Sequence, residues 1–146
     1  MSYFLLVSSD KNLLPSTSAF EYVEKMLSTK RWNLYEKTAF QKLIKKGDSI
    51  AFYIGGIKKN AGKVYARATV GDDCIEHSPF DDYGMIIKRQ FKIENVSIST
   101  NKFDLRKNIN SISFGEKVDP SNRKWGSVLM GGIKKLSKKD WELIFK

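Results

Sequence analysis

The chain opens on an unbroken apolar run, Tyr3-Phe4-Leu5-Leu6-Val7, that passes into Ser8 and Ser9. A short run rich in β-formers and bounded by polar residues reads as a buried strand. The period then changes. Phe20, Tyr22, Val23, Met26 and Leu27 recur at helical spacing behind Pro15 to Ser18. Ser18 and Glu21 have capping-box spacing, so a helix starts there. A second, shorter helix is expected from Glu36 to Lys45, with Phe40, Leu43 and Ile44 inward and Gly47 ending it. Residues 49–54 and 63–70 read as strands, with Gly55-Gly56 and Asn60-Ala61-Gly62 as turn material. Residues 71–84 read as an irregular acidic loop. Residues 85–99 alternate well enough for one or two strands, and Phe103 to Ile109 suggests a short helix. Residues 115–124 read as a loop, Trp125 to Met130 as a strand or extended segment, and Ser137 to Phe145 as a terminal helix. That last helix has Ser137 and Asp140 as a capping box, and Leu136, Trp141, Leu143, Ile144 and Phe145 inward. Helices and strands mix without regular βαβ alternation. The pattern therefore predicts an α+β fold, a curved and mostly antiparallel sheet or barrel flanked by helices.

Composition narrows the function. The 146 residues suit one domain spanning 1–146, and an apolar share of 41% is ample for a core. The formal net charge is +10. Such an excess favours polyanions, nucleic acid above all, although a Lys-rich solvated surface would have the same composition. Cys74 and His77 are the sole cysteine and histidine. No intrachain disulfide and no intrachain Cys/His zinc site can be built from them. Their Cys-x-x-His spacing reads as accidental rather than nucleophilic. The carboxylates Asp72, Asp73, Glu76, Asp81 and Asp82 share one loop with no nuclease core behind them. A binding protein without cofactor is expected, not an enzyme. Asp10 and Lys11 interrupt the first apolar run, and no stretch approaches a membrane span, so a soluble cytoplasmic protein is expected. Gly-Gly-Ile-Lys-Lys occurs at Gly55 and again at Gly131. Five residues are too few for a duplication, and the repetition is read as chance; the alternative is two tight turns presenting lysines to phosphate.

Several segments carry a family resemblance in their order and spacing. They are Tyr-Phe-Leu-Leu-Val-Ser-Ser at the start, Trp32 after the first helix, and Lys46-Gly47-Asp48-Ser49-Ile50-Ala51-Phe52-Tyr53 at the second strand. Gly62-Lys63-Val64-Tyr65-Ala66, Leu105-Arg106, Arg123-Lys124-Trp125-Gly126-Ser127 and Leu136-Ser137-Lys138-Lys139-Asp140 follow. Over nearly its whole length the chain resembles the EVE domain of the PUA-like superfamily, which also includes YTH domains. The resemblance implies a small β-barrel wrapped by helices, with a pocket for a methylated or otherwise modified base flipped out of DNA or RNA. It also allows the recognition module of a McrB-type modification-dependent restriction enzyme. In that case a C-terminal AAA+ GTPase domain and a partner nuclease are implied. The alternative is a PUA-like RNA-binding protein without modification specificity.

Carried onto this sequence, the resemblance makes Trp32 the first cage aromatic and sets Phe80 and Tyr83 near the second. It puts Ser8, Ser9 and Asp10 at the pocket floor and Asn33 and Leu34 against the base. Tyr53 and Trp125 are divided between pocket wall and core, and Trp141 reads as core. Arg31, Lys58, Lys59, Arg123, Lys124, Lys134 and Lys135 lie in predicted turns or beside pocket segments and are the phosphate-contact candidates; each could equally be a solvated surface charge.

Overall fold

A computed structural model describes residues 1–9, 18–35, 42–57, 59–72, 75–76 and 86–146. The strands are β1 (Tyr3–Ser8), β2 (Arg31–Leu34), β3 (Ser49–Ile54), β4 (Lys63–Val70), β5 (Ile75–Glu76), β6 (Arg89–Asp104) and β7 (Ile133–Leu136), and the helices are α1 (Ala19–Thr29) and α2 (Lys138–Ile144). The strand order is β2-β6-β4-β3-β1-β7, with β5 also paired to β6. β1 and β3 run parallel and every other pairing is antiparallel.

The sheet is strongly curled. In a flat sheet β2 and β3 would stand three strand spacings apart, about 14 Å. Instead the Trp32 ring on β2 lies 5.1 Å from the Phe52 ring on β3, centroid to centroid. The concave interior holds Phe4, Leu6, Ile50, Phe52, Ile54, Ala66, Phe91, Ile93, Trp32 and Leu34, and α1 closes it with Tyr22, Val23, Met26 and Leu27. On α1 the Ser18 hydroxyl accepts from the Glu21 amide at the start, and Lys30 stops the helix in the left-handed region.

Strand alternation sends the neighbouring side chains to the convex face. There Leu5, Ala51, Tyr53 and Val64 pack beneath three 3₁₀ turns, Ile109–Ser111, Ser113–Gly115 and Trp125–Leu129, and beneath α2. Burial on both faces explains why β1 and β3 read as continuous apolar runs. The capping box at Ser137 and Asp140 is present in both directions, and the Asp140 carboxylate also accepts from the amide and hydroxyl of Ser113. It thereby ties α2 to the 3₁₀ turns.

Four sequence expectations are corrected. Trp125–Leu129 is a 3₁₀ helix, not a strand, because short-range bonds such as Ser127 N to Lys124 O at 3.0 Å close it on itself. Phe103 and Asp104 end β6, and a 3₁₀ turn begins only at Ile109, so no helix spans Phe103 to Ile109. Lys42 and Leu43 form a turn, with Leu43 exposed and only Ile44 inward; residues 36–41 of that proposed helix lie outside the described residues. Leu136 belongs to β7, held there by pairing with Tyr3, rather than to the terminal helix. The acidic loop lies mostly outside the described residues, as do Cys74 and His77.

Candidate nucleic-acid interface

Two features meet at the C-terminal ends of β1 and β3, a buried hydroxyl on the interior face of the sheet and a cleft on the convex face. The interior one begins with Ser8. Its register partner is Ile54, an interior residue, and the preceding interior residues of β1 are Phe4 and Leu6. Alternation therefore turns the Ser8 side chain inward. Ser8 is 2% exposed, and its Oγ has no hydrogen-bond partner among the described residues. A buried hydroxyl left unpaired costs about 1–3 kcal/mol, so such an atom calls for an explanation.

Trp32 lies in the same interior. It is 5% exposed, tilted against Phe52 and edge-on to Tyr22 at 5.7 Å. The structure thus makes Trp32 a packed interior wall, not an open platform. Leu34, two residues on, faces the same way and is buried among the core residues. Asn33 points to the other side of β2, where its Oδ1 accepts from Gln90 Nε2 at 2.7 Å. Asp10, Phe80 and Tyr83 lie outside the described residues.

The convex site is a cleft of about 480 Å³. Ser8 and Ser9 at the end of β1 line it with Tyr53 from β3 and Trp125 and Arg123 from the 3₁₀ region. The structure therefore gathers Ser8, Ser9, Tyr53, Trp125 and Arg123, while Trp32 belongs to the other face. Trp125 is half-buried, with the Arg106 guanidinium 5.8 Å from its ring centroid. Burial, followed by the nearby Asp104 carboxylate, pushes the Tyr53 phenol up from 10.0 to about 12, against the opposing charge of Arg106. Tyr53 is therefore a neutral O–H at any physiological pH.

Sequence reasoning missed the glycines. Gly55-Gly56 and Gly131-Gly132, the heads of the repeated pentapeptide, both line this one cleft. The Gly55 amide donates to the Ser8 carbonyl at 2.8 Å, and the Val7 amide donates to the Gly132 carbonyl at 2.7 Å. A Cβ on Gly55 would strike that Ser8 oxygen. Gly131 and Gly132 sit at φ of 102° and 80°, a region that favours glycine. The repetition was thus the signal that could have found them. Met130, 74% exposed, stands on the rim beside them.

The cations divide. Arg123, Lys124 and Lys135 are exposed, and Lys134 is half-buried on β7. Arg31 is within 3.7 Å of Asp72, and the Lys59 ammonium lies 5.1 Å over the Phe20 ring. Lys58 lies outside the described residues. Among the described residues no group of three or more His, Cys, Asp or Glu side chains could hold a metal ion, and no helix is long and apolar enough to cross a membrane.

No known protein family and no curated protein matches the sequence. The structure, in contrast, is similar to solved ones along almost its whole length. Human THYN1 protein in complex with 5-methylcytosine containing DNA superposes with a TM-score of 0.64 at 12% identity, covering 99% of this chain and 96% of that one. Protein Atu2648 from Agrobacterium tumefaciens gives 0.61 at 15% identity, covering 99% and 90%. The MmI1 YTH domain gives 0.56 at 11% identity, covering 99% and 92%. The fold is that of the PUA-like EVE and YTH domains, a curled sheet with, among the described residues, two α-helices.

Proposed function

We propose that this chain is a non-enzymatic reader of nucleic acid that takes a flipped, modified base at the interior site beside Ser8 and Trp32. The observation that carries the reading is the buried, unpartnered Ser8 Oγ on the face that holds Trp32. A buried hydroxyl without a partner among the described residues is satisfied if a ligand supplies one, and a base edge offers both donors and acceptors. The net charge of +10 supports a polyanionic ligand. The fold shared with a protein solved on 5-methylcytosine DNA and with a YTH domain supports the same class.

The selection mechanism is differential burial. A methyl group on the base gains about 0.8 kcal/mol or somewhat more when it leaves water for an aromatic-walled site. Flipping costs a few kcal/mol in a duplex and much less in a single strand. Charge supplies affinity, and the interior supplies choice. A role in McrB-type restriction would add a GTPase domain and a nuclease; the reader activity needs neither.

The test is fluorescence-polarisation binding at fixed salt to matched DNA and RNA oligonucleotides, single- and double-stranded. They would carry N6-methyladenine, 5-methylcytosine, 5-hydroxymethylcytosine or no modification. A preference of tenfold or more, about 1.4 kcal/mol, for one modified probe is expected, and Ser8→Ala and Trp32→Phe should each erode it. Uniform, steeply salt-dependent binding across the panel would overturn the reading in favour of a general RNA or DNA binder.

A further inference from the structure

We infer that the convex cleft is a second, separate subsite for the nucleotide next to the flipped one, with the neighbour's base against Trp125 and Met130 and its phosphate on Arg123. The inference rests on the base-reading proposal and extends it to sequence context. Three observations carry it.

The first is the geometry of Ser8. Its side chain faces the interior, whereas its residue and Ser9 line the cleft on the opposite face. One strand end thus stands between the buried hydroxyl and the cleft. A nucleic-acid strand that brings a base to the Ser8 end of β1 has this cleft within reach of its adjoining nucleotide. The second is the chemistry of the cleft. A volume of about 480 Å³ lies in the range of small-molecule sites. Trp125 offers a π-face braced by Arg106, Tyr53 a neutral hydroxyl, and Arg123 an exposed guanidinium of the type that pairs with phosphate. The third is the rim. Met130, which lines the cleft, leaves most of its side chain in water, an arrangement suited to covering the face of a neighbouring base. The paired glycines contribute no side chains, so a sugar-phosphate backbone can approach the main chain there.

The experiment uses the whole chain and single-stranded DNA pentamers centred on 5-methylcytosine or cytosine. The nucleotide on either the 5′ or the 3′ side of the centre is present or replaced by an abasic residue. Removing the neighbouring base on one side should lower affinity at least fivefold, and removing it on the other side should change little. Trp125→Ala should lose that fivefold difference. So should Met130→Glu, an exposed position where folding is not at stake. Met130→Glu should at the same time leave the ratio of modified to unmodified binding unchanged. Arg123→Gln should weaken every pentamer alike and reduce the salt dependence.

Equal affinity for all abasic and intact pentamers would overturn the subsite. So would a Met130→Glu variant that keeps the full neighbour preference. If Met130→Glu instead destroyed the modified-to-unmodified ratio, the cleft would be the reading pocket itself and the separation of sites would be wrong. A wild-type chain that ignores the methyl group yet keeps the neighbour effect on cytosine pentamers would sink the base-reading proposal while leaving the cleft a nucleotide site.

Discussion

Ser8 and Gly55 are joined by a 2.8 Å hydrogen bond from the glycine amide to the serine carbonyl, at the point where the parallel strands β1 and β3 end together. That contact fixes the wall whose inner side is a hydroxyl without a partner and whose outer side is a cleft. It works only because residue 55 lacks a Cβ.

Gly55→Ala should therefore be costly. The new methyl collides with backbone rather than with a movable side chain, so the two strand ends must separate. A loss of about 1–3 kcal/mol is expected, read as a lower denaturation midpoint in urea with little change in slope. The same variant should lower affinity for every oligonucleotide.

Ser8→Ala should do the opposite to stability. Removing a buried hydroxyl that has no partner among the described residues relieves a desolvation penalty of about 1 kcal/mol or more, offset in part by lost packing. The thermal midpoint should stay level or rise by about 2–4 °C, while discrimination of the modified base falls. A drop of several degrees would mean that the hydroxyl is structural.

Asp140 should make stability depend on acid. Burial pushes its carboxyl up, but hydrogen bonds from the Ser113 hydroxyl and from the Ser137 and Ser113 amides outweigh that and hold it below the ordinary carboxylate range. A group depressed in the folded state contributes stability above its unfolded value and loses it as pH falls through the folded one. Asp140→Asn should flatten the acid limb of a stability-versus-pH curve. Asp140→Ala should cost about 2–4 kcal/mol, from a lost cap and from the Ser113 amide and hydroxyl left without their acceptor.

Tyr53 should act at the other end of the pH scale. Its ionisation lies near 12 in the folded chain, against 10.0 ordinarily. A raised value means stability that is whole below 10 and declines as pH climbs toward 12. Ultraviolet titration should show a late ionisation near pH 12 that Tyr53→Phe removes, with Tyr65, also pushed up by burial and by Glu24, remaining. A late phase near pH 12 that persists unchanged in Tyr53→Phe would reassign that phenol.

Much of the architecture was legible along the chain because the signals were local. β1 and β3 carry apolar runs, β4 two short β-rich apolar stretches on either side of Arg67, and α1 and α2 helical spacing behind Ser18 and Ser137 caps, so each declared itself within a window of a few residues. What escaped was structure made by partners. Trp32 sits in a four-residue strand that exists through pairing with Phe91 and its neighbours, and Ile133–Leu136, with two lysines at its centre, is a strand because β1 lies beside it. Neither can stand alone, so neither left a readable period. The division of the candidate residues was likewise decided only in three dimensions. The family resemblance set Ser8 and Trp32 at one pocket and divided Tyr53 and Trp125 between its wall and the core; the curl of the sheet and the alternation of β1 and β3 sent Trp32 and the Ser8 hydroxyl inward, and Tyr53 and Trp125 outward. Side-chain direction flips with each residue along a strand, whereas closure depends on strands far apart in the chain. The sequence by itself determined charge, core and most elements, and the tertiary structure alone decided which residues share a site.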